Sequence, residues 1–150
     1  MKYLFHIIVC LVIAMAGQCF GTSTPPLPLS WLVANSQLIF LGVATNLDVT
    51  TQGGSNVSSS EAQIAWTDTC RLTVQVVEVV KSGTNMTPQS VSISYSNQWI
   101  RTVGDERKEF LGKKMIYFLR GKDYGPVDTF QFVAPMEQVD EVKDLVGKKP

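Results

Sequence analysis

Between Gln89 and Ser96 the chain reads QSVSISYS, with Val91, Ile93 and Tyr95 alternating strictly with Ser90, Ser92, Ser94 and Ser96. A period of two marks a strand with one face buried and one in water, because successive side chains leave a pleated backbone on opposite sides. A helix would scatter the same apolar groups around its circumference. The alternation recurs at Leu72, Val74 and Val76 against Arg71, Thr73 and Gln75. It slips by one across Val76-Val77-Glu78-Val79-Val80, which predicts a bulge in a long, coiled strand that runs from Cys70 to Lys81. Three further apolar runs, over residues 37–49, 115–119 and 129–133, complete a set of five strands. Gly42 inside the first of them marks a bend or bulge.

The segments between the strands read as connections. Thr50 to Ser60, TTQGGSNVSSS, is a long flexible hairpin loop, Lys81-Ser82-Gly83 ends the second strand, and Tyr124-Gly125-Pro126 is a turn. Asn97 to Glu109 reads as a polar connection holding Trp99 and the charged run Asp105 to Glu109. Before the first strand, Ser30 is placed to cap a helical turn over Trp31 to Asn35. After the last, Pro135 stands at a first helical position, and Val139, Val142 and Val146 fall on one helical face that ends at Gly147. The fold class expected is mainly β: a five-stranded closed barrel with a short N-terminal helical turn and a C-terminal helix. Closure would remove exposed sheet edges. An immunoglobulin-like sandwich, the competing fold, wants about seven strands.

The amino terminus bounds the compartment. Lys2 precedes an apolar run from Tyr3 to Ala16, and Ala14-Met15-Ala16 is a small-x-small cleavage site. These features predict a secretory signal peptide over residues 1–16, cut between Ala16 and Gly17. The run is shorter than the ~20 residues that span a bilayer. Residues 17–29, with Pro25, Pro26 and Pro28, form an extended lead-in, and residues 30–150 form one domain. The export signal leads to a secreted or periplasmic location.

Cleavage also changes the chemical inventory. The only histidine, His6, leaves with the leader, as does Cys10, so Cys19 and Cys70 are the thiols that can remain. Without imidazole there is no Ser-His-Asp or Cys-His nucleophile system, and two cysteines cannot fill a zinc site alone. No metal or cofactor is expected, and no catalysis. The 13 basic and 13 acidic residues balance, and loss of Lys2 tips the mature chain to one excess negative charge. That balance gives no reason to expect a nucleic acid as partner.

The run Asn35 to Ala44 (NSQLIFLGVA), then Val76-Val-Glu-Val-Val-Lys81 with Gly83, then Phe110-Leu-Gly112 and Met115 to Leu119, is similar to the netrin-like module. The resemblance covers roughly residues 31–120. It implies an OB-fold barrel of the kind found in the tissue inhibitors of metalloproteinases and in many exported bacterial proteins. It also implies a binding role outside the cytoplasm, with a protein or other ligand as partner. In the inhibitors an amino-terminal cysteine chelates the target's zinc through its amine and carbonyl. Cys19 is the one residue here that could take that place, and Gly21 stands where the family has its second cysteine. Metalloproteinase inhibition is therefore the alternative function, and a carboxylate-dependent enzyme the remaining one.

Several residues carry paired readings. Cys19 and Cys70 can close a disulfide outside the cytoplasm, or Cys70 is a buried thiol. Cys19 as a lipid anchor would want a small residue before it, where Gln18 stands. Tyr95, Trp99, Arg101 and Arg107 are of the types that dominate binding hot spots, and form a candidate partner-binding surface unless Tyr95 is core and Trp99 anchors its own loop. Asn56-Val-Ser58 and Asn85-Met-Thr87 are glycosylation sequons in predicted loops, meaningful in a eukaryotic host. Glu137, Asp140, Glu141 and Asp144 read as the solvated face of the terminal helix.

Overall fold

The computed structural model describes residues 25–83, 88–96, 100–121, 123–129 and 131–148. The leader with its Ala16/Gly17 cleavage site, Cys19, Asn85 and Trp99 lie outside them. Helix α1 (Leu29–Asn35) leads into the long strand β1 (Leu38–Thr50). A two-residue strand β2 (Gln63–Ile64) precedes β3 (Thr69–Ser82) and β4 (Ser90–Ser96). A second two-residue strand, β5 (Arg101–Thr102), runs straight into helix α2 (Val103–Phe110). Strand β6 (Lys114–Arg120) is followed by the short β7 (Gly125–Pro126) and β8 (Val133–Ala134). A 3-10 turn (Met136–Gln138) then leads into helix α3 (Val139–Gly147).

The main sheet is ordered β4-β3-β1-β6-β7, with β8 also on β6, and β2 pairs with β5 as a separate ribbon. Strand β1 pairs antiparallel with β3 over its whole length and with β6 over its first half. Three register shifts let it coil between the two neighbours. Two of them leave Val77 and Val80 of β3 as the extra residues, where the sequence slips phase. The third leaves Thr45 of β1 extra. Beside the shift between Leu41 and Gly42, a Cβ on Gly42 would lie 2.6 Å from Val74 Cγ1 and 2.8 Å from the Gln75 carbonyl oxygen, so the crossing of β1 and β3 admits only glycine.

The closed barrel is not formed. β4 and β7 lie beside one another, with Cα atoms within 8 Å, yet the described residues show no ladder joining them. The cause lies after β6. Tyr124-Gly125-Pro126 was expected as a turn and residues 129–133 as a full fifth strand, but β6 is paired in two pieces instead. Gly125 and Pro126 pair with Arg120 and Leu119, and Val133 and Ala134 pair with Tyr117 and Ile116. Pro126 has no N–H with which to continue a ladder.

The core follows from the alternation. On one face β1 places Phe40, Gly42, Ala44, Leu47 and Val49 against Cys70, Leu72 and Val74 of β3, and these meet Tyr95, Ile93 and Val91 of β4. Phe40 stacks on its register partner Tyr117, with ring centroids 5.2 Å apart. On the other face of the β1–β6 ladder, Ile39, Leu41, Ile116 and Phe118 are also buried. Helices α1 and α3 pack together at this end and bury Leu32, Val33 and Val142. Ser30 lies within α1 and does not cap it; the carbonyl of Pro28 accepts the N–H groups of Trp31 and Leu32 instead. Pro135 likewise caps the 3-10 turn rather than opening α3. At the other end of α1, Lys81 Nζ donates to the Val33 carbonyl at 2.8 Å.

Candidate functional site

Helix α2 and the β2–β5 ribbon gather most of the polar chemistry of the described residues. The helix starts on a capping box: Thr102 Oγ1 accepts from the Asp105 N–H, and the Asp105 carboxylate accepts from Thr102. These hydrogen bonds from Thr102 hold the Asp105 carboxyl below the usual range, its side-chain bond contributing most. The next two N–H groups go to the loop after β1, Val103 to the Ala62 carbonyl and Gly104 to that of Ser60. A Cβ on Gly104 would come within 2.9 Å of the Ser60 oxygen, so the loop lies directly on the first turn.

The inner side of α2 presents Val103, Glu106 and Phe110, all buried. Phe110, Tyr95 and Phe132 form an aromatic cluster with centroids 5.1 to 6.1 Å apart. Within it Tyr95 Oη donates to Glu106 Oε1 at 2.8 Å, and Arg101 Nη1 lies 3.4 Å from Glu106 Oε2. A carboxylate only 4% exposed is costly unless its oxygens are partnered, and here both are. Burial, with the Glu106 charge behind it, raises the Tyr95 hydroxyl far above its ordinary value. Cys70, the register partner of Tyr95, has no exposed surface and no disulfide partner among the described residues. Burial pushes it up to about 12, with the charges of Glu106 and Asp68 adding to the shift. It is therefore an inert core residue rather than a reactive one.

The connection from β2 to β3 is tied by Asp68, whose Oδ2 accepts from the Ala65 N–H at 2.8 Å while its own N–H returns to the Ala65 carbonyl. This closed turn carries Trp66, which is 80% exposed. Because Ile64 pairs with Arg101, the residues after β2 and the residue before β5 leave from the same end of the ribbon. That residue is Ile100, 92% exposed. Arg101 follows it, its side chain 39% exposed while it reaches Glu106.

The expected partner-binding surface of Tyr95, Trp99, Arg101 and Arg107 is thus not assembled as a surface by the described residues. Tyr95 is core. Arg107 donates to the Ser58 carbonyl at 3.3 Å and secures the loop. Arg101 alone lies at the ribbon end from which two exposed apolar residues depart, and these, Trp66 and Ile100, were not singled out by the sequence. Helix α2 was also missed, although Thr102 and Asp105 are spaced as a helix start with an aspartate in the third position. Glu137, Asp140, Glu141 and Asp144 are all exposed on or beside α3. Among the described residues no group of three or more His, Cys, Asp or Glu could hold a metal, and no helix is long and apolar enough to cross a membrane. No protein-family model matches the chain, and no curated protein is significantly similar to it.

Proposed function

We infer that this is an exported netrin-like OB-fold module that binds a protein partner through the end of the β2–β5 ribbon and performs no chemistry. The observation that carries the reading is that two strongly exposed apolar residues, Trp66 and Ile100, both depart from the ribbon end where Ile64 pairs with Arg101. Single exposed apolar side chains are ordinary, whereas several gathered at one place mark an interaction site. Tryptophan and arginine are the types most enriched among residues that dominate binding energy. Rigidity supports the same reading. The turn bearing Trp66 is closed by Asp68, and Arg101 is held by a buried carboxylate, so little ordering remains to be lost on association.

A catalytic reading has less to draw on. Glu106 is engaged by Tyr95 and Arg101, and Asp68 by backbone. A paired-carboxylate mechanism needs two acids facing one substrate. The leader and the netrin-like sequence runs support export and the OB-fold assignment, and the coiled β1 that serves both β3 and β6 is compatible with it.

The test is capture by cross-linking from the extracellular or periplasmic fraction of the native source, with wild type beside a Trp66→Ser/Ile100→Ser double variant. The expected result is one dominant cross-linked partner, lost in the variant, with thermal stability unchanged between the two. A partner retained by the variant, or no partner under either condition, overturns the reading.

A further inference from the structure

We propose that Asn56 is a covalent N-glycan acceptor when the chain is exported through a eukaryotic secretory pathway, a site that rests on the export reading and adds a chemical modification to it. The sequon Asn56-Val57-Ser58 has no proline in its middle or following position, as transfer requires. The structure supplies what the three letters alone do not. A turn over Thr51 to Ser55, closed by the Thr51 N–H to Ser55 carbonyl bond of 2.9 Å and by Gly54 in the left-handed region at φ 84°, returns the chain alongside the end of β1. Asn56 bridges back to Thr50, and the Val57 N–H donates to the Val49 carbonyl at 2.8 Å. The sequon is therefore extended. Val57 turns inward and packs against the core, while Asn56 and Ser58 are both exposed.

Successive side chains of an extended segment alternate, so the carboxamide of Asn56 and the hydroxyl of Ser58 leave on the same side. Both groups that define the sequon are thus open to solvent on one side of the loop. Neither side chain makes a hydrogen bond within the described residues, so occupying Asn56 breaks no interaction of the fold. The backbone around it is fixed from below, through Ser58 to Arg107 and Ser60 to Gly104. A sugar on Asn56 would project into solvent from an anchored loop. The other sequon, Asn85-Met86-Thr87, lies outside the described residues.

The co-reactant is a lipid-diphosphate-linked oligosaccharide of the secretory compartment. Asn56 Nδ2 attacks the anomeric carbon, forming the C–N bond as the C–O bond to the diphosphate breaks. Nδ2 gives up one proton to the aqueous medium, and the departing lipid diphosphate carries away the electron pair of the broken bond. No oxidant or reductant enters.

The full chain, with its own leader, is expressed in eukaryotic cells, and the medium is analysed by peptide mass spectrometry before and after peptide-N-glycosidase. The expected result is a glycan on the peptide containing Asn56. It is removed by the glycosidase, absent in Asn56→Gln and Ser58→Ala, and retained in Ser58→Thr. Exported protein with an unmodified Asn56 peptide overturns this inference and leaves export standing. Protein kept inside the cell with its leader uncut overturns both. Unchanged thermal stability of Asn56→Gln separates loss of the acceptor from loss of the fold.

Discussion

Where α1 and α3 lie at the sheet, the buried side chains of the β1–β6 ladder are aliphatic or aromatic, and the one buried polar residue nearby, Ser36, donates to the Leu32 carbonyl at 2.6 Å. At the α2 end the same sheet buries a carboxylate, a tyrosine hydroxyl, a thiol and an aspartate within a few residues of one another. The first end is held by removal of apolar area from water, which is non-directional and tolerates small shifts. The second depends on bonds of fixed length and angle, and those bonds hold the turn that carries Trp66 and the side chain of Arg101. Apolar burial and directed polar bonding are thus concentrated at opposite ends of one fold.

The contrast can be broken most severely in the apolar half. Phe40→Ala, which removes the ring stacked on Tyr117, should cost about 4 kcal/mol in urea unfolding; a loss below ~2 kcal/mol would show that this interior is not tightly packed. Glu106→Ala should cost about 2 kcal/mol, chiefly because Tyr95 Oη is left buried without an acceptor. Repeating the change in a Tyr95→Phe background should shrink the cost, and equal costs in both backgrounds would refute the coupling.

The polar half should also answer to alkali. The Cys70 thiol titrates near 8.5 when unfolded and about 12 when folded, so the folded chain holds the proton longer. Its contribution is complete below about pH 8.5, and stability should fall by about 1.4 kcal/mol per pH unit above that until the folded thiol ionises. Cys70→Ala should flatten the slope most clearly between about pH 8.5 and 9, where unfolded tyrosines are still almost wholly protonated.

The smallest effect is expected from Tyr117→Phe. Tyr117 Oη is buried and has no hydrogen-bond partner among the described residues, and burial alone raises its hydroxyl above the ordinary value. Removing an unsatisfied hydroxyl should leave stability unchanged or raise it by about 1 kcal/mol. A loss of more than that would reveal a partner for the hydroxyl.

What the sequence makes legible is whatever one-sided burial imposes on it. The serine alternation of β4 and the phase slip near Val77 could be read directly, because each position answers only to its own face of the sheet. Helix α2 could not be read that way. One of its three inward positions is Glu106, so the apolar period is broken, and the acid makes sense only beside Tyr95 and Arg101, which other elements deliver. The fifth strand failed for a related reason. Pairing of β6 switches from Gly125-Pro126 to Val133-Ala134 partway along, a division that depends on the partner strand. The exposure of Trp66 is likewise set by Asp68 closing its turn, a two-bond local motif inside Ala65-Trp66-Thr67-Asp68 that composition does not distinguish from ordinary loop.

Gln37, at the mouth of β1, donates its N–H to the Leu119 carbonyl, accepts the Gly83 N–H on its own carbonyl and the Gly121 N–H on its side chain. One residue thereby fastens the exits of β3 and β6 before either connection begins. Whatever is spliced in after Gly83 or Gly121 inherits strand ends already tethered, which makes these two positions the natural places to insert a tag, open the chain for permutation, or graft a recognition loop.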